Sequence, residues 1–204
     1  MKGPSAMKTT MTRFATAIAA AMILTISSCA TIQRDVLYDV PAGEQPLELA
    51  GIESELVHVR VQPDAAALRS IRDRLDRLAA APSSDTARSA RLLSLSAEAA
   101  MQSGERATAA KLIERSQALY RGDELAAVVS SRLAKTPEER LAILERSAPL
   151  ADDGARIRAE QGSALLALGR FRDALAAFDA ALPRLGPEYG KLYGEDRERA
   201  DRKS

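Results

Sequence analysis

Residues 161 to 182 read QGSALLALGRFRDALAAFDAAL, and how this stretch is read decides the fold. Two alanine- and leucine-rich runs flank one glycine, Gly169, the residue best suited to the left-handed position that closes a helix. The spacing predicts a helix to about Leu168, a turn, and a second helix from Phe171 to Leu182. The same alternation runs upstream. Asp64 follows Pro63 as an N-cap, and Leu68, Ile71, Leu75 and Leu78 then recur at spacings of 3, 4 and 3, one apolar stripe on a solvated helix. Pro82-Ser83-Ser84-Asp85 ends that helix and caps another to about Gln102; Ser103-Gly104 separates it from a third, reaching Tyr120. Gly122-Asp123 opens a run with Leu125, Val128, Val129 and Leu133, and Thr136-Pro137-Glu138-Glu139 carries every part of a helix start. Asp152-Asp153 precedes the helix that enters the opening stretch. Helix pairs on short turns, with no convincing strand series, predict an all-α protein.

The stretch 161–182 resembles a tetratricopeptide repeat. Gly162, Leu165, Gly169, Phe171, Ala174, Phe178 and Ala181 fall where that family places small, large, turn, aromatic, small, aromatic and small residues. Small residues stand where two helices cross closely, and large ones fill the adjacent gaps. Gln161, Arg158 and the closing proline, at Pro183 or Pro187, depart from the pattern. Stepping back 34 residues from Phe171 reaches Pro137, and a further 31 reaches Arg106. The second register puts Val128 at the small site, Leu144 at the aromatic site and Arg140 in place of an alanine; the first gives Ala97, Gly104, Ala109 and Ile113. The resemblance implies a superhelix of about three repeats, near 89–120, 121–152 and 153–186, with a capping helix over 64–80 and a helical domain spanning 63–188. An ordinary helical bundle with similar hairpins is the alternative. Residues 189–204, with the run GEDRERADRKS, are expected to fray into solvent as a charged tail.

The N-terminus has a different character. Lys2, Lys8 and Arg13 precede FATAIAAAMILTI, an uncharged run from Phe14 to Ile26, which is the layout of a secretory signal peptide over residues 1–28. Met7 and Met11 are alternative starts to Met1. The chain's single cysteine, Cys29, follows Ile26-Ser27-Ser28, which resembles a bacterial lipobox. The resemblance implies cleavage before Cys29, lipidation of its thiol and amine, and, with Ala30 next, sorting to an outer membrane. Each buried CH₂ of such acyl chains contributes about 0.8 kcal/mol, so three chains hold the protein on a membrane. The uncharged stretch from Phe14 to Gln33 is also long enough to span a bilayer uncleaved. Residues 29–62 carry Pro41, Gly43, Pro46 and Gly51, while Leu56 to Val61 alternates like a short strand. An extended tether is expected there.

Losing residues 1–28 leaves 26 Lys plus Arg against 28 Asp plus Glu, a balance that offers nucleic acid no electrostatic grip. His58 is the sole histidine and has no cysteine or histidine at ligand spacing, so neither metal nor cofactor is expected. No phosphate-binding glycine loop or His-Glu-x-x-His appears, and Glu98, Glu138, Glu139 and Glu160 read as solvated helix carboxylates. Catalysis is not expected. The resemblance instead implies a concave groove, lined by Arg91, Glu98 and Met101 in the first repeat, Leu125, Val129 and Arg132 in the second, and Arg156, Ser163 and Leu166 in the third. Its three arginines suit carboxylates. The expectation is a lipid-anchored envelope protein acting as an interaction scaffold, either through that groove for an envelope protein partner or through stacking as a homo-oligomer. An accessory to small-ligand uptake and an envelope enzyme with an unfamiliar site are the other readings.

Overall fold

The computed structural model describes residues 47–80, 83–151 and 153–204. Cys29, the signal segment 1–28, the first part of the tether, Pro82 and Asp152 lie outside the described residues. The described chain is all-α and contains no strand: α1 (Leu47–Val61), α2 (Ala65–Ala80), α3 (Thr86–Gln102), α4 (Arg106–Leu119), α5 (Glu124–Leu133), α6 (Pro137–Ser147), α7 (Ala155–Ala167), α8 (Phe171–Ala181) and α9 (Pro187–Lys203), with single 3-10 turns after α6 and α8. Helices α3/α4, α5/α6 and α7/α8 are three successive hairpins, and the first helix of each packs on the first helix of the next, the TPR-like arrangement. The second helices begin at Arg106, Pro137 and Phe171, the positions reached by stepping along the repeat.

Local chemistry sets these boundaries. Asp64, Asp85, Asp123 and Thr136 each accept a backbone N–H at the start of a helix, satisfying donors that otherwise have no partner. Glu139 accepts from Lys135 N at 3.0 Å, closing a variant of the capping box. Asp153 caps nothing; Glu124 accepts from the backbone N–H groups of Asp153 and Gly154 ahead of α7. Gly104 (φ 80°) and Gly169 (φ 74°) make the hairpin turns, where Glu105 N bonds Ala100 O and Arg170 N bonds Leu165 O. The middle hairpin instead turns through an extended Ala134 and a proline at the first position of α6.

Within α7/α8 the repeat sterics are explicit. A Cβ on Gly162 would lie 2.8 Å from the ring of Phe178, and that ring is fully buried. Gly162→Ala therefore overpacks the crossing at a cost of about 1–3 kcal/mol, more than offsetting the roughly 1 kcal/mol that alanine gains in helix propensity. A lowered urea midpoint is expected. Gly51→Ala in α1, where no atom lies within 4 Å, should raise it by the propensity term of about 0.5–1 kcal/mol.

Both ends differ from the sequence expectation. Leu47–Val61 is helical rather than extended, and Leu49, Ile52, Glu53, Leu56, Val57 and Val59 are buried. Its buried residues share one face, but Glu53 and Arg60 stand on that face and Ala50 and Val61 on the exposed one, so hydrophobicity traces no clean stripe. Pro187–Lys203 is also helical and does not fray: Tyr189, Tyr193 and Ala200 are buried, Arg197 pairs with Asp179, and Ser163 donates to Asp196 at 3.1 Å. Helices α1 and α9 contact each other, and between them they reach α2, α3, α7 and α8.

Candidate functional site

The first helices of the three hairpins share one face, and α1 and α9 cover it. A small, partly open cavity of about 20 Å³ lies there, bounded by Glu53, Val57 and Arg60 of α1, Leu95 and Glu98 of α3, Leu125, Val128 and Arg132 of α5, Arg156 of α7, and Tyr189 and Tyr193 of α9. It has room for a water molecule. Two carboxylate centres are built around it.

Glu53 is the first. Arg91 Nη2 and Arg156 Nη2 pair with its two oxygens, the latter at 2.6 Å, and Tyr189 Oη donates to Oε1 at 2.6 Å. Arg91 is held from its other side by Asp123 at 2.7 Å, and the Arg156 guanidinium stands 5.8 Å from the centre of the Tyr189 ring. Burial pushes the Glu53 carboxyl up, but Arg91, Arg156 and the Tyr189 hydrogen bond together hold it below its ordinary value.

Glu160 is the second and is wholly enclosed. Its Oε1 accepts from Arg132 Nε at 2.9 Å, Tyr193 Oη at 2.5 Å and Arg60 Nη1 at 3.4 Å; Oε2 accepts from Arg140 Nη2 at 3.2 Å. Arg132 also forks onto Glu98 at 2.9 and 3.0 Å, and Gln102 Nε2 links Glu98 to the Leu56 carbonyl. Burial pushes Glu98 up, opposed by the attraction of Arg60. Burial likewise raises the phenols of Tyr189 and Tyr193, with repulsion from Glu53 and Glu160 respectively adding to it.

These shifts fix an acid-side behaviour. A carboxyl held low in the fold stabilises it above the ordinary carboxylate range and loses that contribution as pH falls through the folded value; Glu53 is such a group. Glu98, raised, works the other way, because the fold keeps its proton to higher pH than the unfolded chain does. Glu53→Gln should therefore reduce the loss of stability below about pH 4.5, measured as urea midpoints between pH 3 and pH 7, while lowering the midpoint at neutrality.

The groove residues expected from the repeat do converge, but not as an open groove. Arg91, Glu98, Leu125, Val129 and Leu166 are buried, Met101 packs against the core, Arg132 and Arg156 are consumed by carboxylates, and Ser163 bonds Asp196. Glu98 and Glu160 are not solvated as expected; Glu138 and Glu139 are. Sequence reasoning missed Glu53, Arg60, Arg140, Tyr189 and Tyr193. One signal was present. In the repeat register Glu160 occupies the place of Leu95 and Ala126, and Arg140 that of Ala109 and Ala174, all four of them buried. Two opposite charges at positions that are apolar in the neighbouring repeats face each other in the fold.

Among the described residues no group of histidine, cysteine and carboxylate side chains is placed to hold a metal ion, and no helix is long and apolar enough to cross a membrane. No protein-family model, curated protein or solved structure matches the chain.

Proposed function

We propose that the protein is a lipid-anchored envelope scaffold, held on a membrane through Cys29, whose helical-hairpin domain binds other proteins. The observation that carries this reading is the convergence of the repeat's groove positions Glu98, Leu125, Arg132 and Arg156, with Arg91 joined to them through Glu53, on one face of three stacked hairpins. Such a face is the usual interaction surface of helical repeats. Its charges are already arranged as donors to carboxylates. The test has two parts: expression of the wild type and Cys29→Ser in a bacterium fed a labelled fatty acid, then affinity capture from envelope extract. Label and outer-membrane fractionation in the wild type alone support the anchor. A partner recovered stoichiometrically, at wild-type salt and lost on competition with untagged domain, supports the scaffold.

A second reading, an accessory to small-ligand uptake, is favoured by one feature. An open cleft of about 470 Å³ lies where α1 ends and α2 begins, lined by Val59, Leu68, Arg60, Arg69, Arg72 and Gln102 among others. Its size and apolar floor suit a small molecule, and the arginines on its walls are balanced by Glu160 at Arg60, Glu105 at Arg72 and Asp64 near Arg69. Native mass spectrometry of protein purified from its envelope decides: a retained small ligand favours uptake, and an empty protein favours the scaffold.

A further inference from the structure

The interaction face is occupied by the chain itself, and its occupant describes what it binds. We propose that helix α1 is a self-ligand: the face of α3, α5 and α7 is a docking groove for a helix presenting one carboxylate and, two turns later, one arginine among aliphatic residues, filled here in cis by Leu47–Val61 and open to the same kind of helix from a protein partner. The inference rests on the scaffold reading and names the partner's chemistry.

Three observations carry it. First, most of the groove's ion pairs need nothing from α1. Asp123 pairs with Arg91, Glu98 with Arg132, and Glu160 with Arg132 and Arg140, while Tyr193 Oη also reaches Glu160. Besides lending Arg60 to Glu160 and the Leu56 carbonyl to Gln102, α1 completes a cradle of three donors from three helices, Arg91 Nη2, Arg156 Nη2 and Tyr189 Oη, and all three meet Glu53 alone. Among the described residues, Arg156 has no other ion pair and Tyr189 Oη no other hydrogen bond. Such a cradle selects a carboxylate by charge and by geometry.

Second, α1 belongs to none of the hairpins. It is joined to α2 through Gln62, Pro63 and Asp64 alone, and no hairpin is built from it, although Leu49, Ile52, Leu56 and Val59 share a core with α2, α3, α4 and α5. Third, the contacts around Glu53 have the form of a helix laid in a groove. Ile52 precedes the carboxylate, Leu56 and Val57 follow it by three and four positions, and all are buried, the one-face spacing of helical ligands.

Tethering decides the resting state. A helix on a three-residue link sits at an effective concentration in the millimolar range. A partner's helix must therefore bind the open groove well below that value, or meet a chain whose α1 is weakened.

The test uses the full chain and, as probe, a fluorescein-labelled peptide of residues 46–62. Ile52→Ala/Leu56→Ala weakens α1 in cis without touching the cradle. Fluorescence anisotropy should show saturable binding of the peptide to this variant, at least tenfold tighter than to the wild type. A peptide carrying Glu53→Gln should bind at least tenfold more weakly than the unaltered one. A second chain variant, Glu53→Gln in cis, should also capture the unaltered peptide. Equal binding of both peptides overturns the carboxylate cradle. No saturable binding to either variant overturns the groove, and so does loss of helical circular dichroism in both variants, which would make α1 a structural element without which the hairpins do not stand. If the peptide fails but the wild type still captures an envelope protein, this inference falls and the scaffold stands; if the peptide binds and no partner is captured, the scaffold falls.

Discussion

Glu160→Leu should destabilise the fold by about 3–5 kcal/mol at neutral pH, the cost of removing one side of a buried ion pair and leaving its partners uncompensated. Glu160 is fully enclosed and receives Arg60, Arg132, Arg140 and Tyr193. Leucine in its place fills the volume, as Leu95 does at the same register position in the first hairpin. It satisfies no guanidinium. Arg132 retains Glu98, but Arg140 has no other ion pair among the described residues, and Arg60 keeps only the longer-range attraction of Glu98. Urea denaturation reads the difference. The double variant Arg140→Leu/Glu160→Leu should recover part of the loss, since it removes one of the stranded cations together with the carboxylate. Asp179→Ala supplies the contrast: its pair with Arg197 is 40–50% exposed on both sides, and pairs of that kind contribute about 0–1 kcal/mol. A Glu160→Leu effect as small as that of Asp179→Ala would show that the network does not sit in the low-dielectric interior described above.

What could be read in the sequence, and what could not, divides by range. The hairpins and their caps are local. Asp85, Asp123 and Thr136 act on backbone groups two or three residues away, and Gly104 and Gly169 act on the turns they occupy, so single-chain spacing suffices. The register carried the boundaries of the second helices for the same reason. Helix α1 was hidden because its buried face carries Glu53 and Arg60 while Ala50 and Val61 lie on its exposed one, which blurs the stripe on which helix reading depends. Helix α9 was hidden because Tyr189, Tyr193 and Ala200 are its only fully buried apolar anchors in seventeen residues. The site failed in a more instructive way. Arg91, Arg132 and Arg156 were found, since a helix position says which face a side chain takes, but their partners Glu53 and Glu160 lie 38, 28 and 103 residues away along the chain. No pattern on one helix reports what another brings to it. Only the misplaced charges at positions 140 and 160, set against their repeat counterparts, held that information.

The second large effect is expected in alkali. Tyr189 and Tyr193 keep their protons in the fold to higher pH than free tyrosine does, because burial excludes the phenolate and the carboxylates of Glu53 and Glu160 repel it. A group raised in the fold stabilises it fully below the unfolded value, about pH 10 for tyrosine, and that contribution is lost as pH rises toward the folded value. Between the two values the unfolded chain has released a proton that the native chain retains. Each retained proton lowers stability by about 1.4 kcal/mol per pH unit, so the two tyrosines together give about 2.7 kcal/mol per unit. Stability measured by urea titration should therefore fall steeply above pH 10. Tyr189→Phe/Tyr193→Phe should lower stability at pH 7, because Glu53 and Glu160 each lose a short hydrogen bond at roughly 1–3 kcal/mol apiece. In the same variant the alkaline slope should flatten. The crossing of the two profiles distinguishes proton release from general alkaline damage, which would steepen both alike. A double variant with the wild-type slope would mean that the phenols are solvated and that α9 does not close the face over Glu53 and Glu160.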